Sequence, residues 1–280
     1  MKKLQDISKW LTAVPLLLLA FMFIAFPLFG MIRDSFLSTE GSVTLANYME
    51  IMSKPVYHSA IRNSLYLSFL STVIGLAVSF LMALSITQIG ERSQGIVQSI
   101  LNMTSNFAGL PLSFAFVVIL GNSGILIAFL SSIGIGILEN FNLYSVDGLL
   151  LLFIYFQLPL GTLMLLPAFQ GVKAEWKEAA ELMGASPFYF WIKVGIPVIF
   201  SSLADTCSLL FANALTAYAT IVMLVTTNVP ILAVKITSMF TGEMAQQKEL
   251  GSALSIVMLL IMFAVICICN ILKKSVGKER

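Results

Sequence analysis

Apolar residues fill this chain in six long blocks separated by polar breaks, at about 10–32, 64–89, 96–120, 148–170, 197–225 and 251–272. Each reaches the ~18–20 apolar residues that a helix needs to cross a bilayer. The pattern predicts an all-α membrane protein: six transmembrane helices in a single transmembrane domain over 1–280. Pro15 lies in the first turns of block one, and Pro27 is placed to kink it. Block one is too long and continuous for a cleaved signal peptide and lacks a small-residue cleavage site, so it is expected to stay as a first span. The polar segment 33–63 leaves room for a small extramembrane helix, and its lone His58 reads as a solvated side chain. Between 121 and 147 the run Ile125–Leu138 is apolar but short, and Gly134 and Gly136 interrupt it. Its length predicts a re-entrant or interface-lying segment.

The polar break 171–196 reads as well-formed local structure. Lys173 to Met183 is rich in Ala, Glu, Lys and Met, all good helix formers. Trp176, Ala180 and Met183 share one face, while Lys173, Lys177 and Glu181 recur every fourth residue on another. Gly184 is placed to end this helix in a left-handed cap. Ser186 and Pro187 then supply an N-cap and a first helical residue, and Pro197 can open the next span in the same way. Two short helices are thus expected to meet at a glycine.

Charge placement orients the spans. Six crossings put both termini on one side. That side holds Lys2, Lys3, Lys9, Arg92, Lys173, Lys177, Lys193, Lys273, Lys274, Lys278 and Arg280, against Arg33, Lys54, Arg62, Lys235 and Lys248 on the other. The excess assigns the termini and the 171–196 loop to the cytoplasm. The chain is 58% hydrophobic and only 11% charged, which leaves no room for a separate soluble domain. A net charge of +2 gives no reason to expect nucleic acid. Cys207, Cys267 and Cys269 all fall inside predicted spans. Cys267 and Cys269 lie on different sides of a helix, so neither a disulfide nor a metal site is expected.

Ionisable and polar groups in a span are costly and point to function by default. Asp205 is the one acidic residue well inside a span, about eight residues past Pro197 and so roughly 12 Å in at ~1.5 Å per residue. It either meets a cationic solute or bonds a partner such as Lys193 or a neighbouring subunit. Asn213 and Thr216 lie one turn apart near the bilayer centre. Gln157 precedes Pro159, and Asn106 precedes Pro111. Polar residues beside helix breakers are where pathways form, although each could equally bond a neighbouring helix. No phosphate-cradling G-x4-G-K-[ST], no H-E-x-x-H and no G-x-S-x-G occurs, so no catalytic residue is expected.

The loop also resembles a family signature. Permease subunits of type I, binding-protein-dependent ABC importers carry E-A-A-x3-G-x9-I-x-L-P. Here Glu178, Ala179 and Ala180 are followed by Gly184, then Val194, Ile196 and Pro197, at the family spacing. Val for Ile and Ile for Leu each exchange one branched apolar residue for another. The similarity runs from about Asn63 onward and includes Asn63-Ser64-Leu65 and Leu158-Pro159. Leu143-Tyr144-Ser145 and Phe211-Ala212-Asn213-Ala214 look most like the branch that carries polyamines, iron(III), thiamine or phosphonates. The resemblance implies the type I permease fold, with Glu178, Ala179, Ala180, Gly184 and Pro197 in a cytoplasmic coupling helix. It implies two ABC ATPase subunits, a second permease subunit, an extracytoplasmic solute-binding protein and a bacterial cytoplasmic membrane. It further implies that ATP and Mg bind the ATPase, with no cofactor in this chain. An ion-coupled secondary transporter is the first alternative; against it, no inverted repeat and no paired mid-membrane carboxylates are evident. A non-transporting scaffold is the second, and the polar residues beside breakers argue against that.

Overall fold

A computed structural model describes residues 14–136, 141–225, 229–242 and 247–278. The basic start with Lys2, Lys3 and Lys9, the expected beginning of the first span at Trp10, and Glu279 and Arg280 lie outside these residues. The fold is all-α: an isolated antiparallel bridge, Leu37 with Val43, is the β feature among the described residues. Among the described residues eleven helical segments follow in order: α1 (Val14–Ser35), α2 (Ala46–Ser53), α3 (Pro55–Ile86), α4 (Glu91–Asn106), α5 (Leu110–Leu120), α6 (Ile125–Ser132), α7 (Val146–Gln170), α8 (Ala174–Leu182), α9 (Pro187–Leu215), α10 (Leu232–Thr241) and α11 (Lys248–Lys278). Six stretches among the described residues are long and apolar enough to cross a membrane: α1, α3, Leu110–Ser132, α7, α9 and Lys248–Ser275. The protein is therefore a multi-pass membrane protein.

The third crossing differs from the sequence-based expectation. The stretch 96–120 is not one helix. Its first part belongs to α4, which interleaves Gln94, Gln98, Asn102 and Asn106 with apolar residues and is amphipathic. The chain then breaks at Phe107–Gly109, where Gly109 takes φ +74°, and restarts with Pro111 in the first turn of α5. The apolar length is completed by α6, so the segment expected to be re-entrant or interface-lying supplies part of the crossing candidate, while 137–140 lie outside the described residues.

The fifth crossing differs too. It begins at Pro187 rather than Pro197 and ends at Leu215 rather than 225. Pro197 opens no separate helix. A π-helical turn at Trp191–Gly195 precedes it, and Ile196 N–H donates to the Trp191 carbonyl five residues back. Around Pro27 the same arrangement recurs: a π-turn at Phe21–Ala25, with Phe26 N–H donating to the Phe21 carbonyl. A proline ring clashes with the carbonyl four residues earlier, and the widened turn lets the helix run on past it.

The chain divides into two compact units, 1–58 with 235–259, and 59–234 with 260–280. In the first, Gly41 at φ +80° turns the chain between Leu37 and Val43. Asn47 Nδ2 donates to the Ser35 and Leu37 carbonyls at 3.0 and 2.9 Å, and Tyr48 OH to Ser35 Oγ at 2.9 Å, which seats α2 on the end of α1.

The second unit holds the functional elements. Its α3 and α7 approach closely through small residues: a Cβ on Gly161 would lie 2.5 Å from Ser79 Oγ and 3.2 Å from Leu210 Cδ1 of α9. Glycine there lets three helices meet, the usual device for packing apolar helices in lipid. Ser79 Oγ donates to the Leu158 carbonyl at 3.2 Å, and Thr162 Oγ1 to the same oxygen at 2.7 Å. The Ser79 hydroxyl ties α3 to α7 one residue before Pro159, whose missing N–H interrupts the helix ladder at the Tyr155 carbonyl. One apolar core gathers Leu67, Leu112, Leu152, Phe153, Phe156 and Ile221. A second, around Ala83, Leu165, Phe169 and Ile199, lies toward the loop that carries α8.

Candidate functional site

The part of the loop up to Pro187 folds as its local chemistry predicts, while 187–196 forms the start of the fifth crossing. α8 ends in a Schellman turn: Gly184 takes φ +81°, its N–H donates to the Glu181 carbonyl at 2.9 Å, and Ala185 N–H donates to the Ala180 carbonyl at 2.9 Å. Ser186 Oγ accepts from Tyr189 N–H at 3.2 Å, with Pro187 as the first helical residue of α9. On the face that Trp176, Ala180 and Met183 share, Ala180 is buried, whereas Trp176 and Met183 are exposed. Glu178 and Ala179 are exposed as well. Around the turn stands an apolar patch open on the outside, with Leu182 89%, Met183 81% and Phe188 75% exposed.

An aromatic cluster fixes this loop to the membrane helices. Trp191 sits 5.3 Å from Phe169 of α7, 5.9 Å from Phe80 of α3 and 5.8 Å from Phe190, ring centre to ring centre. The π-turn brings the indole over Gly195, where any Cβ would overlap it. The start of α9 is thus packed against two other crossing helices, α3 and α7.

The five polar residues expected along a pathway separate in the structure. Asn213 and Thr216 come together, lining a cavity of ≈ 280 Å³ with Ser105, Gly109, Tyr218 and Thr220. Asn106 opens instead onto a neighbouring cavity of ≈ 390 Å³ with Thr104, Phe107 and Tyr155. Gln157 is fully buried and joins helices: its Nε2 donates to Ser71 Oγ at 2.5 Å, holding α7 to α3. Asp205 pairs with Lys273 of α11 at 2.6 Å, not with Lys193.

Sequence reasoning missed the group that frames the Asn213 cavity. Gly109 N–H donates to Thr220 Oγ1 at 3.2 Å, and the fully buried Ser113 hydroxyl donates to the Thr220 carbonyl. The helix break before α5 is so tied to the irregular stretch after α9. Gly109 two residues before Pro111 was a visible breaker, and Thr216-Ala217-Tyr218-Ala219-Thr220 a visible run of small and hydroxylated residues. Their meeting is a tertiary event. No group of three or more His, Cys, Asp or Glu side chains able to hold a metal occurs among the described residues.

No family model matches this chain. It is 23% identical over 239 residues to a probable sulfate transport system permease protein of Helicosporidium sp. subsp. Simulium jonesii, covering 82% of each. It is 25% identical over 199 residues to the spermidine/putrescine transport system permease protein PotB of Haemophilus influenzae, covering 69% of each. In fold it matches a chain of a bacterial alginate ABC transporter, solved in complex with an alginate-pentasaccharide-bound periplasmic protein. The TM-score is 0.82 at 17% identity, over 98% of this chain and 96% of that one.

Proposed function

We propose, for a chain whose fold and relatives are those of ABC importer permeases, that it forms half of a solute pathway and couples that pathway to ATP hydrolysis through α8. The observation that carries the coupling is the exposed apolar patch on Leu182, Met183 and Phe188, wrapped around the Schellman turn. An exposed cluster of this kind marks a partner site. Glu178 can accept hydrogen bonds from that partner, and Ala179 lets the backbone approach it closely. The partner is an ABC ATPase subunit, two per complex, and it binds the ATP and Mg. This chain is non-catalytic. A second permease subunit completes the pathway, and an extracytoplasmic solute-binding protein delivers the solute. Both termini and α8 face the cytoplasm of a bacterial inner membrane, in line with the lysine and arginine bias.

The solute is a small polar molecule. A polyamine-like cation is slightly favoured by the resemblance at 143–145 and 211–214; Asp205 adds nothing to that, because its carboxylate is paired with Lys273. The Asn213 cavity is lined by amide, hydroxyl and apolar groups with no charged side chain.

The test is ATPase co-purification and solute uptake by the reconstituted complex, for Glu178→Lys and Gly184→Asp separately. Each variant should insert and express but lose ATPase binding, or hydrolyse ATP without uptake. Wild-type uptake with both would remove the loop from the mechanism.

A further inference from the structure

A second cavity, of ≈ 320 Å³, opens where α3, α4, α7 and α8 converge, beside the loop that carries the coupling patch. Lys173, Lys177, Gln88, Gln94, Gln170 and Thr87 supply its polar lining, and no carboxylate is among the lining residues. Leu84, Phe169, Phe190 and Trp191 form its apolar wall. Lys173 makes no ion pair with a described residue, and Lys177 has only an exposed contact with Glu181 at 4.0 Å. Such an exposed pair contributes little and leaves the ammonium free to take another anion.

We propose that this cavity binds the phosphate of an anionic phospholipid headgroup. Two ammonium groups can donate charge-assisted hydrogen bonds to phosphate oxygens, the strong kind, and the Gln88 amide can add to them; Gln94 and Gln170 already give one N–H each, to the Ile89 carbonyl and to Gln94 Oε1, and keep the other. The cavity lies at the ends of the crossing segments Pro55–Ile86 and Val146–Gln170, the level at which headgroups sit. Basic pockets between transmembrane helices on the cytoplasmic side suit lipid headgroups. The partly exposed Leu84 and Trp191, backed by the buried Phe169 and Phe190, offer apolar surface to the glycerol and first acyl carbons, which a free phosphate would leave empty. A bound headgroup would bridge Lys173 and Lys177 of the coupling loop to Gln88 and Gln170 on the membrane helices, so anionic lipid would bear on how the loop is held. This inference rests on the cytoplasmic placement of the loop proposed above.

The test uses the full chain purified in mild detergent, offered phosphatidylglycerol or phosphatidylcholine, with retained lipid read by native mass spectrometry. Wild type should retain phosphatidylglycerol over phosphatidylcholine by about tenfold, a modest selectivity for two lysines at a membrane surface. Lys173→Gln with Lys177→Gln should lose that selectivity at an unchanged lipid-free unfolding temperature. Gln88→Glu, which adds a carboxylate to an exposed lining position, should reduce retention without touching either lysine. Lys274→Gln, at the far end of α11, should leave retention as in wild type. Inorganic phosphate should not displace the lipid. Equal retention of the two lipids by wild type, full retention by the lysine variant and by Gln88→Glu, or displacement by inorganic phosphate would each overturn the proposal. Because retention is read on the permease alone, a chain that keeps phosphatidylglycerol yet binds no ATPase would refute the coupling reading and leave this one standing.

Discussion

The ammonium of Lys273 lies 2.6 Å from a carboxylate oxygen of Asp205, joining the end of α11 to α9 within two bilayer-crossing segments. Asp205 does not line the Asn213 cavity. A charge in such a segment is costly alone and much less so when paired. Asp205→Asn and Lys273→Met should therefore each lower stability by about 1 kcal/mol, the upper end for an accessible pair. The double variant should recover most of the loss, and thermal unfolding in detergent reads it as a double-mutant cycle. Additive losses would mean that the two groups act separately. Uptake should follow stability rather than respond to Asp205 alone.

Gly195 has no room for a side chain, because the π-turn lays the Trp191 indole where a Cβ would stand. Gly195→Leu should destabilise the chain by about 1–3 kcal/mol, the range for overpacking a close contact. Adding Trp191→Ala should return part of it by clearing the space. Tryptophan fluorescence should shift in Gly195→Leu as the indole leaves Phe80 and Phe169. An unshifted spectrum would place the indole elsewhere.

At Gly184 the constraint is conformational instead. Nothing lies within 4 Å of a Cβ built there, but φ is +81°. Replacement should cost about 1 kcal/mol from the left-handed backbone, with Asn milder than Val. The three variants Gly184→Asn, Gly184→Ala and Gly184→Val should rank in that order in ATPase co-purification. No such ranking would mean that the turn geometry is irrelevant to docking.

Elements set by local chemistry were legible in the sequence. Ser145 caps α7, whose observed range Val146–Gln170 differs from the expected 148–170 by two residues at one end. Gly184, Ser186 and Pro187 announced the turn between two helices. Hydropathy alone misled at 96–120, because Ile96, Val97, Ile100, Leu101 and Met103 raise the local average while sitting on a helix with a polar side. Only Leu101 among them is buried, against Ile86 and Leu166. Pro197 misled because proline marks a helix start far more often than a π-turn tolerated inside one. Of the polar residues, only the pairing of Asn213 with Thr216, one turn apart, was legible in the sequence; that Asn106 would face Tyr155 on a separate cavity was decided by packing.

The Asn213 cavity gives the most direct test of the pathway. Its shape depends on two breaks held together by one residue: Thr220 accepts from Gly109 N–H through its hydroxyl and from the Ser113 hydroxyl through its carbonyl. Asn213 is half-buried and its amide is free to meet a solute, whereas Thr216 Oγ1 already bonds the Ala212 carbonyl at 2.8 Å. Asn213→Leu should therefore lower uptake more than Thr216→Val, with folding and ATP hydrolysis intact in both. Removing the hydroxyl in Ser113→Ala leaves a buried carbonyl with one partner fewer, a loss of about 1 kcal/mol that falls on cavity geometry. Its uptake should drop with a raised apparent KM, while Ser113→Thr keeps the hydroxyl and should retain more uptake than Ser113→Ala. The measurement is uptake kinetics beside ATPase activity in proteoliposomes. If Asn213→Leu transports as wild type does, the cavity lies off the solute's route, and the pathway must be sought along Asn106 and Tyr155 instead.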